Sequence, residues 1–276
     1  MGISNWQLKT EDGLSLHAIG WEPEGEMRGA ICLIHGLGEH SERYGHVAEF
    51  MNRHGYGVLS IDLRGHGKSE GQRGHSPGID GMLNDIDLLI NYAMEKYPDQ
   101  PLFLYGHSLG GNLVLNYCLK RSPQLNGVII TSPFLRAAFD PPKWKITLGK
   151  VMYTLWPSLS LWNELDTNAL SNDQAVVDAY EQDPLVHDRI SSRMGIDMLT
   201  SGEWVLENAA SFPLPLLLMH GGGDRVCSPG ASREFALTAG KFCTLKIWDG
   251  LAHELHNEPE KEDVLSYMLD WITENT

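Results

Sequence analysis

The segment Gly106-His107-Ser108-Leu109-Gly110 constrains this chain more than any other. It follows Pro101-Leu102-Phe103-Leu104-Tyr105, a short apolar run that reads as a buried strand. It leads straight into Asn112-Leu113-Val114-Leu115-Asn116-Tyr117, which has helical spacing. So sharp a turn from strand to helix strains the backbone of its central residue and holds the serine hydroxyl clear of the fold. Glycines two residues to either side let the neighbouring backbones approach closely. The five-residue pattern alone recurs by chance; placed between a buried strand and a helix it is specific. A serine that merely caps a helix is the plainer alternative, and it is the weaker one because both flanking elements are those the sharp turn requires.

The rest of the chain supplies a fold in which such a turn belongs. Strand-like runs at 14–21, 30–34, 57–61, 102–105, 127–131, 214–219 and 244–248 alternate with amphipathic stretches at 44–54, 82–96, 109–121, 230–239 and 259–272. That alternation predicts an α/β domain with a mostly parallel sheet. The runs at 30–34 and 214–219 are apolar throughout, as strands covered on both faces are. One stretch breaks the rhythm. Residues 137–206 hold Pro141-Pro142, Pro157 and helical segments rich in Trp, Leu and Met. They are expected to form a helical insertion over the C-terminal edge of the sheet, where open α/β sheets bind ligands. The expected division is therefore a core of residues 1–136 and 207–276, with an insertion at 137–206.

A length of 276 residues suits one large domain with an insertion. A net charge of −15 argues against nucleic acid and strongly anionic membrane surfaces as partners. Cys32, Cys118, Cys227 and Cys243 are too few and too scattered for a disulfide framework, and no pair has the C-x-x-C spacing of zinc or redox chemistry. Cys32 and Cys118 sit in apolar runs and are expected to be buried thiols. No basic region followed by an apolar stretch opens the sequence, and no apolar run approaches the ~20 residues that span a bilayer. The expectation is a cytoplasmic protein, peripheral at membranes at most.

A serine hydroxyl becomes a nucleophile at neutral pH only beside a base that is itself oriented by an acid. On a strand–turn–helix scaffold of this kind those partners follow in the order Ser, Asp or Glu, His. The run at 214–219 leads into His220-Gly221-Gly222-Gly223-Asp224, which puts Asp224 in a glycine-rich loop beyond a strand. The last strand leads into Asp249-Gly250-Leu251-Ala252-His253, which puts His253 in the next such loop. Asp249 is the competing acid, disfavoured because it lies too near His253 in sequence to face it from a neighbouring loop. Developing negative charge on oxygen needs donors already in place. The Leu109 N–H at a helix N-terminus is one candidate, and the Leu37 N–H in His35-Gly36-Leu37-Gly38 is the other. Two further patterns are discarded. Gly67-Lys68-Ser69 has Asp62 where a phosphate-binding loop needs glycine, and in His253-Glu254-Leu255-His256 the histidines are three apart where a zinc helix needs four.

His35-Gly36-Leu37-Gly38-Glu39-His40-Ser41 with Arg43-Tyr44, Asp62-Leu63-Arg64-Gly65-His66-Gly67-Lys68-Ser69 and the Gly106–Gly110 turn together resemble the α/β-hydrolase superfamily. More narrowly they resemble the monoacylglycerol lipase and lysophospholipase family. The resemblance extends into the insertion, through Pro157-Ser158-Leu159-Ser160-Leu161 and 178–185. It implies an α/β-hydrolase fold with an α-helical cap inserted after the sixth strand. It also implies a serine hydrolase, free of cofactor and metal, that cleaves monoacylglycerols, small-molecule lipid esters, to glycerol and fatty acid. In that reading Ser108 is the nucleophile, His253 the base, Asp224 its orienting acid, and Leu37 and Leu109 the oxyanion donors. Glu39, Arg43, Tyr180 and His256 fall where the family holds the glycerol head; their plainer roles are a salt bridge for Glu39 with Arg43 and packing for Tyr180. Leu37 and Leu109 depart from the family's usual small residue and Met, which leaves the backbone donors intact.

Residues 144–156 carry unusually much apolar surface for a helix ending before Pro157. Packing explains most such stripes. A lid must also offer an apolar inner face to an acyl chain, each CH₂ of which contributes ~0.8 kcal/mol on burial. Tryptophan and tyrosine at its ends suit a membrane interface, so transient contact with lipid aggregates is expected. The competing functions are a broad carboxylesterase, lysophospholipase or thioesterase with the same three residues, and a non-catalytic ligand-binding protein on the same scaffold.

Overall fold

The computed structural model describes residues 2–276. It is built on an eight-stranded sheet. Its strands are β1 (Gly2–Lys9), β2 (Ser15–Glu22), β3 (Gly29–Ile34), β4 (Tyr56–Ile61), β5 (Leu102–His107), β6 (Gly127–Thr131), β9 (Leu216–Gly221) and β10 (Cys243–Trp248), in the order β1-β2-β4-β3-β5-β6-β9-β10. Every pairing from β4 through β10 is parallel, while β1–β2 and β2–β4 are antiparallel. Six strands precede residue 137. The apolar runs pick out only five of them, because β1 is an exposed edge strand whose side chains never form a buried face. The expected strand at 214–219 begins two residues later, past Pro215, which has no N–H to give to a ladder.

Alternation along the strands divides the core in two. Leu102 and Leu104 point into one cluster with Ile34, Leu59, Ile130 and Leu218; Phe103 and Tyr105 point into the other with Leu33, Val58, Ile129 and Met219. The first cluster is covered by helices α2 (Ile79–Lys96), α3 (Leu109–Arg121) and α7 (Pro229–Ala239), the second by α1 (Gly45–Arg53) and α8 (Lys261–Glu274). A sheet buried on both faces needs strands that are apolar at every position, which is why β3, β5 and β9 read so plainly.

Between β6 and β9 the chain forms α4 (Lys143–Leu155), the three-residue β7 (Ser160–Trp162), α5 (Gln174–Gln182), β8 (Arg189–Ser191) and α6 (Ser192–Asn208). β7 and β8 pair with each other, so the stretch expected to be wholly helical also holds a small antiparallel ribbon. Three-residue strands are too short for periodicity to reveal. α6 anchors this segment to the core: Met194, Met198, Val205 and Leu206 are buried in the cluster beneath α3. α4 does not have a single buried residue. Among the described residues no helix is long and apolar enough to cross a membrane. Cys32 and Cys118 are buried free thiols, as their apolar surroundings predict.

Candidate active site

Ser108 stands between β5 and α3 with φ 53° and ψ −115°, a conformation L-residues avoid. Three hydrogen bonds hold it there. Its N–H donates to the Thr131 carbonyl at 3.1 Å, and its carbonyl accepts from the N–H groups of Asn112 and Phe134, both at 3.0 Å. The flanking glycines are steric requirements. A Cβ on Gly106 would lie 2.5 Å from the Gly110 carbonyl oxygen, and one on Gly110 would lie 2.1 Å from the Ile34 carbonyl oxygen. The turn can be this tight only without side chains at those two positions.

The next two residues arrive from the C-terminal ends of neighbouring parallel strands. Asp224 follows β9 and His253 follows β10. Nε2 of His253 lies 3.0 Å from Ser108 Oγ, and its Nδ1 lies 2.7 Å from Asp224 Oδ2. Asp249 is exposed, outside this chain of hydrogen bonds. Asp224 Oδ1 accepts the N–H groups of Val226 at 2.7 Å and Cys227 at 2.9 Å. Burial opposes ionisation of Asp224, but the His253 charge and the hydrogen bonds from His220 and His253 outweigh it and hold its carboxyl well below the usual range. Burial likewise depresses His253, and the Asp224 carboxylate overrides it, so the imidazole is left more basic than an ordinary histidine. His107, 4.8 Å from the His253 ring, is driven the other way, to about 4, by burial and by the His253 charge.

Asp224, Cys227 and His253 each bring a possible ligand atom within 4.8 Å of the others. The carboxylate is already occupied by hydrogen-bond donors, and burial raises the Cys227 thiol well above its ordinary value. These three are therefore arranged for hydrogen bonding rather than for a metal.

The N–H groups of Leu37 and Leu109 have no hydrogen-bond partner among the described residues. Leu109 is the first residue of α3, so its free N–H is one of the unpaired donors every helix start leaves, at the positive end of the dipole. The loop carrying Leu37 is tied down on both sides. Glu39 Oε1 accepts the Gly36 N–H at 2.6 Å, and the Gly38 carbonyl accepts the His187 N–H at 2.9 Å.

The polar residues expected around a head group divide into two layers. Glu39 and Tyr180 face a cavity of about 750 Å³ that also reaches Leu37, Ser108, His107 and His253. Arg43 and His256 do not line it; the structure seats both behind the wall. Arg43 joins Glu39 at 2.7 Å, forks onto Glu254 at 2.8 and 2.7 Å, and lies under the Tyr180 ring at 4.8 Å. His256 is wholly buried, stacked on Tyr44 at 4.5 Å. The reason is that two buried carboxylates take three of the guanidinium N–H groups and hold Arg43 behind the cavity wall. Arg43 leads the attractions that hold the Glu39 carboxyl at about 2 despite its burial. Sequence reading missed Glu254 and His107. Glu254 meets Arg43 across 211 residues, a separation at which no spacing rule operates.

Most of the remaining lining of the cavity is apolar, with Lys145, Glu164, Asp166 and Arg225 also reaching it. Phe134, Trp144, Leu148, Met152, Leu161 and Met198 are in its lining, all from the segment between β6 and β9.

A sheet of this topology with a serine, an acid and a histidine beyond the C-terminal ends of three of its parallel strands defines an α/β-hydrolase with the geometry of acyl transfer. The family profile described as "Serine aminopeptidase, S33" matches residues 25–260. A monoacylglycerol lipase of Mycolicibacterium smegmatis is 33% identical over 91% of this chain and 90% of its own. An uncharacterised abhydrolase domain-containing protein of Dictyostelium discoideum is 40% identical over 99% of this chain, which spans only 29% of that longer protein. The crystal structure of Paleococcus ferrophilus monoacylglycerol lipase superposes with TM-score 0.84 at 34% identity, all of each chain being covered. The chain belongs to the α/β-hydrolases of the monoacylglycerol lipase and lysophospholipase family, and it is a carboxylic ester hydrolase.

Proposed function

We propose that this protein hydrolyses monoacylglycerols through Ser108, His253 and Asp224. The observation that carries the reading is the continuous hydrogen-bonded line from Ser108 Oγ through His253 to Asp224, opening into a cavity with Glu39 and Tyr180 in its wall and a mostly apolar lining. His253 takes the Ser108 proton as Oγ adds to the ester carbonyl. The carbonyl oxygen, now negative, is stabilised by the Leu37 and Leu109 N–H groups. His253 returns the proton to the departing glycerol oxygen, leaving an acyl-enzyme, and water then repeats the sequence. Asp224 holds the imidazole in the tautomer that presents an acceptor to Ser108.

Glu39 and Tyr180 offer the polar wall for a glycerol head, with Arg43 fixing both from behind. Residues 137–206 act as the acyl-binding cap. The outward side of that cap supports transient docking to neutral lipid aggregates: Leu155 is 75% exposed, and Val151 and Trp156, which like it lie outside the cavity lining, are also exposed. The names of the relatives agree with the substrate class. Hydrolysis of a panel of monoacylglycerols, lysophospholipids, acyl thioesters and short nitrophenyl esters tests it. Higher kcat/KM on long-chain monoacylglycerols is the expected result; a flat profile over acyl length and head group would make this a broad esterase.

A further inference from the structure

Asp224 does not answer to His253 alone. The oxygen that meets His253 Nδ1, Oδ2, also lies 3.0 Å from Nε2 of His220. His220 is the penultimate residue of β9 and is wholly buried. Its Nε2 is 3.3 Å from the Cys227 carbonyl oxygen as well. An ionised carboxylate and a carbonyl are acceptors only, so Nε2 carries a proton, and in the tautomer this defines the lone pair is at Nδ1. That lone pair faces the Ser232 hydroxyl at 2.7 Å. Ser232 is on α7 and is also wholly buried, and neither it nor His220 lines the cavity. A hydroxyl donating to Nδ1 selects the Nε2–H tautomer. The line of hydrogen bonds therefore runs from Ser232 through His220 to Asp224, and there meets the one from Ser108 through His253.

We propose that His220, its ring held from behind by Ser232, is a positioning residue for ester hydrolysis: it donates to Asp224, holds the carboxylate in place and moderates its pull on His253. This rests on Ser108, His253 and Asp224 being the reacting set. A carboxylate oxygen that accepts two donors is a weaker base toward each, since every bond to the charged form stabilises it. His253 must give up its proton at working pH, and a base serves best with its pKa near that pH. His220 thus keeps Asp224 from making the imidazole too basic. With the carboxylate already bound by two backbone N–H groups, His220 completes four donors to its two oxygens.

The test compares His220→Leu, His220→Gln and Ser232→Ala with the wild type. Glutamine places an amide N–H near the position of Nε2; leucine places none. His220→Leu is expected to lower kcat by about 10–100-fold, the range of one hydrogen bond to a charged group, with KM nearly unchanged. Its acid limb of kcat/KM moves to higher pH, because Oδ2 then pulls on His253 undiluted. The other groups that face His253, namely Glu254, Glu39, His107 and His256, are untouched in every variant. His220→Gln regains most of the lost kcat and the wild-type limb. Ser232→Ala, which removes the donor to Nδ1 and so loosens the hold on the His220 ring, lowers kcat several-fold. Low-field proton NMR needs no substrate: His220→Leu loses the His220 Nε2 proton and moves the His253 Nδ1 proton downfield. If the wild type cleaves no ester while those shifts appear, the reaction assignment fails and the hydrogen-bond line stands. Wild-type kcat and pH limb in His220→Leu, a limb moved to lower pH, or a glutamine variant no better than leucine at equal Tm overturns the proposal. Should the leucine variant not fold, unchanged kcat in Ser232→Ala overturns it.

Discussion

At Ser108 a strained backbone and a reactive hydroxyl are the same feature. A non-glycine residue at positive φ costs on the order of 1–3 kcal/mol and persists where the surroundings over-determine it, here through Thr131, Asn112 and Phe134. Ser108→Ala keeps all three of those backbone contacts. It is therefore expected to leave Tm within a few degrees of wild type and to reduce ester turnover to the residue left by oxyanion donors and binding alone; turnover near wild type would require another nucleophile. Asp224→Asn is expected to lower kcat by about 10⁴, because an amide holds the wrong imidazole tautomer. Asp249→Asn, at an exposed position, has little effect. The sign of the pH dependence follows from the same pair. His253 accepts a proton only when neutral, and its pKa is raised above its ordinary value by Asp224. The acid limb of kcat/KM therefore lies above about 6.5, activity falling as pH drops through it, and Asp224→Asn moves the limb down. An acid limb at ordinary or lower pH in the wild type would contradict the coupling seen here. Ser108, Asp224 and His253 could be picked out together in the sequence because each lies in the turn or loop that follows a strand. His220 was legible as a residue but not as a partner, since its role depends on Ser232 twelve positions on and on which ring nitrogen carries the proton.

At the scale of elements, steric fit decides what the turn between β5 and α3 will accept. Gly110→Ala places a methyl 2.1 Å from the Ile34 carbonyl oxygen, which is backbone of the central strand β3 and has nowhere to move. A loss of about 3 kcal/mol or more in urea unfolding is expected, at or beyond the upper end for overpacking, along with loss of activity. A variant of native stability would mean that the turn is looser than its φ and ψ imply. Elements whose burial is near-uniform were placed closely: β3, β4, β6 and α3 lie within a residue of expectation or coincide with it, as do the less buried β10 and α7. Those it missed have no such signal. β1 has exposed side chains along most of its length, and β7 and β8 pair over three residues each. The same physics explains α4. Its apolar residues gave it a helical period, but none is buried, so pattern alone could not say whether core, acyl chain or lipid surface was their partner.

The molecule as a whole sets a rigid doubly covered sheet beneath a segment whose inner face is apolar. The reacting atoms lie at the seam between them. About 750 Å³ falls within the ~300–1,000 Å³ of sites that enclose one small molecule, so the cavity has room for a single amphiphile lying with its head against Glu39 and Tyr180 and its chain along Trp144, Leu148 and Met152. Glu39 cannot turn away from that wall, because both its oxygens are held by Gly36, Tyr44 and Arg43. A diacylglycerol would have to send its second chain into this fixed, charged end. There it would displace water from buried polar groups without replacing the hydrogen bonds, a mismatch by which sites built around a hydroxyl reject analogues by up to ~10⁴. Monoacylglycerols are therefore expected to be cleaved with kcat/KM at least about 100-fold above matched di- and triacylglycerols. Glu39→Ala, which opens the polar end and unties the Leu37 loop, is expected to narrow that ratio as well as lower the rate. Rates on matched mono-, di- and triacyl substrates decide the matter. Comparable kcat/KM across the three would show that the polar end does not read the head group, and the apolar cap alone would then set specificity.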